Sequence, residues 1–469
     1  MRQPHRFLVG AFVLLAAGAL VAPAGAATRA PKSGELWVSR YDGASAFDEA
    51  KSVASSPDGT KVFVTGWSNG SSTGYDYATV AYSAATGTPL WVARYNGTGN
   101  GTDEAYAVAV SPDSSKVFVT GYSFGSTSSY DYATVAYNAT SGTLLWVKRY
   151  NGVGNLDDYA KSIGVSPDGS KVFVTGYSYG GAIGYDYATV AYNAATGGSL
   201  WGKRFDGVDH GADYAYSLAV SPNGSRVFVT GYADMGATGN DYVTIAYATG
   251  TGATVWGKSY IGPGNSSDYG YSVAVSPDSS KVFVTGESYG GSSTGYDYAT
   301  IGINATTGGS LWLRRYNGPG SSTDSGQSVV VSPDGSKVFV TGWSYGSTTS
   351  YDYATFAYNS STGSTVWGQR YNGPGNSSDY AFAVGVTLDG SEVFATGYAY
   401  NGASGYDYAS AGYDARTGGS LGARVYNGPA NGSDYAFAMA VSSTIVFITG
   451  ESYGGSATDY DYATAAYAI

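Results

Sequence analysis

Residues 116–121 read Lys-Val-Phe-Val-Thr-Gly, and close copies of the last five end at Gly66, Gly121, Gly176, Gly231, Gly286, Gly342, Gly397 and Gly450. The copies stand 55 residues apart, with one interval of 56 and one of 53. Working outward, Tyr-Asp-Tyr-Ala-Thr or a variant begins at Tyr75, Tyr130, Tyr185, Asn240, Tyr296, Tyr351, Tyr406 and Tyr460. A tryptophan follows a glycine turn at Trp91, Trp146, Trp201, Trp256, Trp312 and Trp367, while the seventh unit has Gly422 there. Self-similarity at a fixed period of this length marks one repeat domain rather than several.

The second complete unit shows the plan. Residues 105–111, 116–120, 132–137 and 144–150 are short β-branched, aromatic or alternating runs. Pro112-Asp113-Ser114, a Gly/Ser/Thr loop and Ser141-Gly142 separate them, so each unit is expected to hold four strands. Helical periodicity is absent after residue 27. Such units arranged around an axis are propeller blades. Leu36-Trp37-Val38-Ser39-Arg40-Tyr41 reads as a fourth strand with no first three before it, and the chain stops at Ile469 after a third strand. The expected fold is all-β: an eight-bladed propeller of four-stranded antiparallel blades over residues 35–469, its last blade completed by the N-terminal strand. This three-plus-one closure pairs edges that would otherwise invite aggregation.

Ala-Tyr-Asn-Ala-Ala-Thr-Gly-Gly-Ser-Leu-Trp at 191–201 and its copies resemble the tryptophan-docking repeat of quinoprotein alcohol dehydrogenase-like, PQQ-binding-like eight-bladed propellers. The wider unit, with Asp-Tyr-Ala ahead of the first strand and Val-Phe-Val-Thr-Gly in the second, is similar to the bacterial seven-bladed-type β-propeller repeat of secreted proteins. Together the resemblances cover nearly all of 35–469. They imply the fold more strongly than an activity, because propellers host many unrelated functions.

Composition narrows the chemistry. The absence of cysteine removes disulfides, thiolate nucleophiles, Cys-ligated zinc and iron–sulfur clusters. A net charge of −11 argues against a nucleic-acid partner. Arg2 and Arg6, the apolar run 7–22 and Ala24-Gly25-Ala26 form the three parts of a cleavable signal peptide. The run is about sixteen residues, short of the roughly 20 that span a bilayer. The expectation is a signal over 1–26, a linker over 27–34, and a secreted extracellular chain with no membrane anchor.

Strand order places the short Ser-Pro-Asp-Gly and Thr-Gly turns at one end, and the longer second-to-third loops and blade links at the other. On the long-loop face, Tyr179, Tyr289, Tyr345 and Tyr453 combine aromatic surface with neighbouring Ser and Gly, and are candidate ligand contacts. Glu287 and Glu451 are added because they break the repeat, standing where other units have Trp67 or Tyr122. Asp234-Met235 departs from the repeat as well. The six glutamates read as scattered, without a common position, and His210 as a solvated loop residue. Asp76 and its seven counterparts face Arg40, Arg94, Arg149, Arg204, Arg315 or Arg370 in most units, which suggests ion pairs. A second ring, Asp48, Asp103, Asp158, Asp213, Asp268, Asp324, Asp379 and Asp434, recurs in every unit. At sheet spacings of about 10 Å these acids are too far apart to share one central calcium, so each is expected to cap its own blade through backbone N–H groups or the nearby Thr-Gly of the second strand.

Export, repeat regularity and the lack of a nucleophile motif point to a secreted, monomeric, non-enzymatic binding or scaffold module for a glycan or protein, with no cofactor and no metal. The resemblance leaves a quinone-dependent dehydrogenase, or another extracellular enzyme, as the alternative. Against the former stand the missing adjacent Cys pair, the lack of long insertions and the absence of a Glu/Asn/Asp calcium set that could be carried over.

Overall fold

A computed structural model describes residues 34–43, 46–70, 72–181 and 184–469. The signal peptide and nearly all of the linker expected from the sequence lie outside the described residues. Eight separate four-stranded antiparallel sheets follow one another along the chain. Seven run through four consecutive strands, as in Asp103–Val110, Lys116–Phe124, Tyr130–Asn138 and Leu144–Tyr150. The eighth takes three strands from residues 434–468 and its outermost from Glu35–Tyr41, which pairs antiparallel with Asp459–Ala468. The first strand of each blade neighbours the first strands of the blades on either side, so these strands form the inner circle of a propeller.

Burial follows from that position. Second and third strands such as Lys116–Phe124 and Tyr130–Asn138 are buried almost throughout, because other blades cover both of their faces. Their sequences are accordingly apolar rather than alternating. The outer strands are largely open and bury little besides their tryptophan.

That tryptophan joins blades. Its indole N–H donates to a backbone carbonyl of the following blade, from Trp37 to Ala84 (3.0 Å), Trp146 to Ala194 (3.1 Å) and Trp312 to Ser360 (2.9 Å), among others. The ring lies on the glycine of the next blade's turn. Gly142 has φ +70°, and a Cβ there would stand 2.7 Å from Trp91 Cδ2, so both the turn and the docking require glycine. The seventh blade has no such turn to dock on, since the last outer strand comes from the N-terminus. There Arg424 takes the place of the indole: it lies over the Phe394 and Tyr467 rings and donates to the Ala468 carbonyl at 2.6 Å.

A second set of joints is deeper. Eight fully buried tyrosines each donate a hydroxyl to a carbonyl in the next blade, and the bond from Tyr462 to Ala78 (3.1 Å) closes the circle. The Asp–Arg pairs form in six blades, at 2.6–3.1 Å. Arg370 also donates to the Ser344 carbonyl and to Tyr316 of the preceding blade, so it ties three strands together.

Strands run longer than the sequence suggests. The second extends through Phe124 or Tyr179 and the third starts at Tyr130 or Tyr185. Tyr179, Tyr289, Tyr345 and Tyr453 are therefore strand residues paired with Tyr185, Tyr296, Tyr351 and Tyr460, not loop residues.

Candidate functional site

Each first strand carries a β-bulge at the same place. Pairing slips between Ala50 and Ser52, between Ala105 and Ala107, and at the equivalent pair in all eight blades. A bulge re-aims the extra residue. The extra residues are Lys51, Tyr106, Lys161, Tyr216, Tyr271, Gln327, Phe382 and Phe437, a variable set in an otherwise regular repeat. The glycine ending Val-Phe-Val-Thr-Gly belongs to this device: a Cβ at Gly66 or Gly121 would lie 1.9 Å from the Glu49 or Glu104 carbonyl oxygen.

Two further positions join the bulged one. They are the residue after each ring Asp and its cross-strand partner after each Thr-Gly: Glu49 faces Trp67, Glu104 faces Tyr122, Tyr269 faces Glu287, and Tyr435 faces Glu451. Four of the six glutamates are thus not scattered. Glu49 and Glu104 share one repeat position, and Glu287 and Glu451 share its partner. The sequence reading missed this because the two positions lie 18 residues or so apart and meet only through strand pairing.

Together these side chains form a belt around the inner circle at the long-loop end. Trp67, Tyr106 and Tyr122 follow one another at 5.7 and 5.8 Å between ring centres. Contacts at 4.6–4.9 Å carry the belt across later junctions, from Tyr122 to Tyr159, Tyr177 to Tyr214, Tyr232 to Tyr269 and Tyr398 to Tyr435. Two sectors interrupt it. In one, Tyr271 donates to Glu287 (2.9 Å) and Gln327 to Ser325 (2.6 Å). In the other, Lys51 pairs with Glu49 and lies over the Trp67 and Phe437 rings, while Lys161 lies 3.6 Å from the centre of the Tyr106 ring. Burial pulls the Lys51 ammonium down to about 7 and Lys161 to about 8, and pushes Glu451 up to about 7. One oxygen of Glu451, Oε2, is buried without a hydrogen-bond partner.

The four sequence-selected tyrosines are half-buried and stand one to a blade, each edge-on or tilted to its third-strand partner at 5.3–5.4 Å. Those partners in turn touch the belt: Tyr185 lies 5.6 Å from Tyr214 and Tyr351 lies 5.6 Å from Tyr380. They are the outer ends of aromatic spokes, and also lie over link glycines, where a Cβ on Gly320 would meet Tyr345 at 2.4 Å. Glu287 and Glu451 are inner-belt residues.

The Asp ring faces away from the belt, buried under the blade links. Gly97 N–H donates to Asp103 at 2.6 Å and Phe124 N–H at 2.9 Å, and the same two donors recur at Asp268, Asp324, Asp379 and Asp434. The donors are the link and the end of the second strand, not the Thr-Gly of that strand. Burial outweighs these bonds and raises the carboxyls, to about 6 for Asp158, Asp324, Asp379 and Asp434 and about 7 for Asp213. His210 is exposed and bonded to Asp206 at 2.6 Å.

Quinone-type propellers would imply a quinone and a metal on the channel axis. Here the channel lysines engage the nearby glutamates, and among the described residues the carboxylate groups close enough for a metal lie at two blade junctions instead. The belt does not fit that pair.

A family model described as outer membrane protein assembly factor BamB, of the PQQ-like repeat kind, matches residues 133–300. No curated protein matches. Among solved structures, Sqt1 from Chaetomium thermophilum bound to the N-terminus of the ribosomal protein L10 is 12% identical, with 93% of this chain and 100% of that one covered at a TM-score of 0.62. The quinohemoprotein alcohol dehydrogenase ADHIIG from Pseudomonas putida HK5 is 13% identical over 92% of this chain and 76% of that one, with a TM-score of 0.56. At these identities the structures speak for the fold alone. What the chain shares with these solved structures is the propeller fold, and the family match adds a PQQ-like repeat over residues 133–300.

Proposed function

We propose that this chain is an exported, non-enzymatic binding module that takes carbohydrate at the aromatic mouth of its channel. The observation that supports this most is the belt: a near-continuous run of buried and half-buried Tyr, Trp and Phe, flanked by outer tyrosine spokes and interrupted by carboxylates and amines. Aromatic faces suit the C–H faces of sugar rings, and the hydroxyls, Glu287 and Gln327 suit their hydroxyl groups. The site varies among blades while its supports repeat, as expected where selection acts on a ligand rather than on packing. Binding sites are commonly concave, largely apolar and dotted with a few polar groups.

A glycan and polysaccharide screen on the signal-free chain tests the reading. Binding should fall at least tenfold in Tyr216→Ser and Gln327→Ala, and less in Tyr179→Ser, Tyr289→Ser, Tyr345→Ser or Tyr453→Ser at the spoke ends. Capture of peptides alone, with no glycan bound, would replace sugar by protein as the ligand. Turnover of an alcohol or sugar by protein supplied with quinone and calcium would overturn the non-enzymatic reading.

A further inference from the structure

At every blade junction the third-strand Asp of one blade approaches the ring Asp of the next. In all eight blades the third-strand carboxylate leaves Oδ1 buried and without a hydrogen-bond partner, from Asp76 round to Asp461. The residue ahead of the link glycine differs among the junctions. It is Asn in five junctions (Asn96, Asn151, Asn317, Asn372, Asn427) and Ile261 in another, but Asp206 between blades three and four and Asp42 where the ring closes. Among the described residues, only in those two do three carboxylates converge, with one oxygen of each within 4.8 Å of the others: Asp186, Asp206 and Asp213, and Asp42, Asp48 and Asp461.

The junction between blades three and four can be accounted for atom by atom. Asp213 accepts from Gly207 N–H (2.5 Å) and Asp234 N–H (2.8 Å). Asp186 gives Oδ2 to Arg204 at 2.6 Å, and Asp206 gives Oδ2 to His210 at 2.6 Å. Asp186 is only 4% exposed, yet its Oδ1, like that of Asp206, is buried with no partner. A water molecule can satisfy one orphan oxygen beside a neutral Asn. Two orphan oxygens beside a third buried carboxylate call for positive charge.

We propose that Asp186, Asp206 and Asp213 form a calcium site between the third and fourth blades, with water completing the shell, and that Asp42, Asp48 and Asp461 form its counterpart at the closure. A cation centred among three oxygens at most 4.8 Å apart stands no more than about 2.8 Å from each, so at most small side-chain movements reach calcium's range of about 2.3–2.6 Å. Magnesium, at about 2.0–2.1 Å in a strict octahedron, would require a larger collapse of the three carboxylates. The ion would join the third strand of one blade, the link and the first strand of the next. The sequence reading expected no metal, having weighed only a central one.

The test is calcium titration by calorimetry on the chelator-treated signal-free protein. Two sites per chain are expected, with magnesium at equal concentration binding at least tenfold more weakly. Asp206→Asn installs the residue that five other junctions hold, so the fold should be kept. It should weaken one site by tenfold or more and leave the other unchanged, and Asp42→Asn should do the converse. Asn96→Asp, which brings a third carboxylate to Asp76 and Asp103, should add a site. No calcium binding at millimolar concentration would overturn the proposal, and so would a stoichiometry that neither Asp206→Asn nor Asp42→Asn alters. Glycan binding does not enter this readout, so the two proposals fail separately.

Discussion

The channel belt and the blade junctions are built from the same strands, a few residues apart, and they obey opposite rules. At the junctions one solution recurs: Tyr132 and its counterparts donate across the joint, Trp146 and its counterparts dock, and Asp103 and its counterparts cap the link. At the belt almost every blade differs, with Lys51, Tyr106, Lys161, Tyr216 and Gln327 standing at one equivalent position. The difference separates two kinds of constraint. A joint must match the neighbouring blade, which is the same eight times over. A belt residue meets the other belt side chains around the inner circle, and these differ from blade to blade.

The strongest way to break this comparison is to remove a joint outright. Deleting residues 27–43 should open the eighth blade and strip Trp37, 8% exposed, from its dock. Loss of a buried Trp alone costs about 3–5 kcal/mol, so the melting temperature should fall by many degrees. An unchanged melting curve would show that the closure strand carries no weight.

A second test uses pH in calcium-free buffer. Ring carboxyls held at about 6–7 by burial, against 3.8 ordinarily, bind protons more tightly folded than unfolded. Their charge therefore destabilises the fold: stability should be greatest near pH 4, decline up to about pH 7, and then level off. Lys51, pulled down from 10.5 to about 7, acts in the opposite direction and should return stability between pH 7 and 10. Melting temperatures that rise steadily from pH 4 to 7 would mean that the capping N–H groups outweigh burial after all.

A finer contrast sets one tyrosine of each kind side by side. Tyr298→Phe removes a hydroxyl bonded to the Ala354 carbonyl at 3.0 Å and leaves that acceptor unpaired, at a cost of about 1–2 kcal/mol. Tyr216→Phe, in the belt, removes only a longer bond to the Tyr232 hydroxyl (3.3 Å), leaves no carbonyl unpaired, and should cost less than about 0.5–1 kcal/mol. Chemical denaturation of both variants decides it, and equal losses would dissolve the distinction between joint and belt.

The smallest expected effect concerns the one junction without a tryptophan. Gly422→Trp should not stabilise the seventh blade, since its neighbour offers no turn for the indole. Arg424→Ala should cost about 1 kcal/mol, chiefly through its stacking on Phe394 and Tyr467. Stabilisation by Gly422→Trp would show that a dock exists there.

Much of the joint machinery was readable from the chain because it is local and repeated. Trp146, Asp103 and the Asp131–Arg149 pair each announce themselves by returning at a fixed interval. Glu287 and Glu451 were readable for the reverse reason, as breaks in a regular position. The belt as a whole was not. Its three positions per blade fall on two strands, and Lys51 or Tyr106 looks like any other residue in an alternating run until the bulge turns it. One signal was present: a glycine that recurs inside a buried strand, as Gly66 and Gly121 do, marks a close backbone approach. The acidic junctions were half visible, since Asp206 breaks a run of asparagines, but its partners Asp186 and Asp213 lie in different blades.

By itself the sequence determined the number of blades, the four strands of each and the closure by residues 35–41. Repeat spacing, turn glycines and an unpaired strand at each end are properties of the chain read in order. Tertiary structure alone decided which side chains face the channel and which oxygens are left without partners. A one-residue slip in pairing reverses the direction of a side chain, and sequence does not display where that slip falls. Whether a carboxylate is orphaned depends on a strand contributed by the next blade, some 55 residues away, and on the water that both blades exclude.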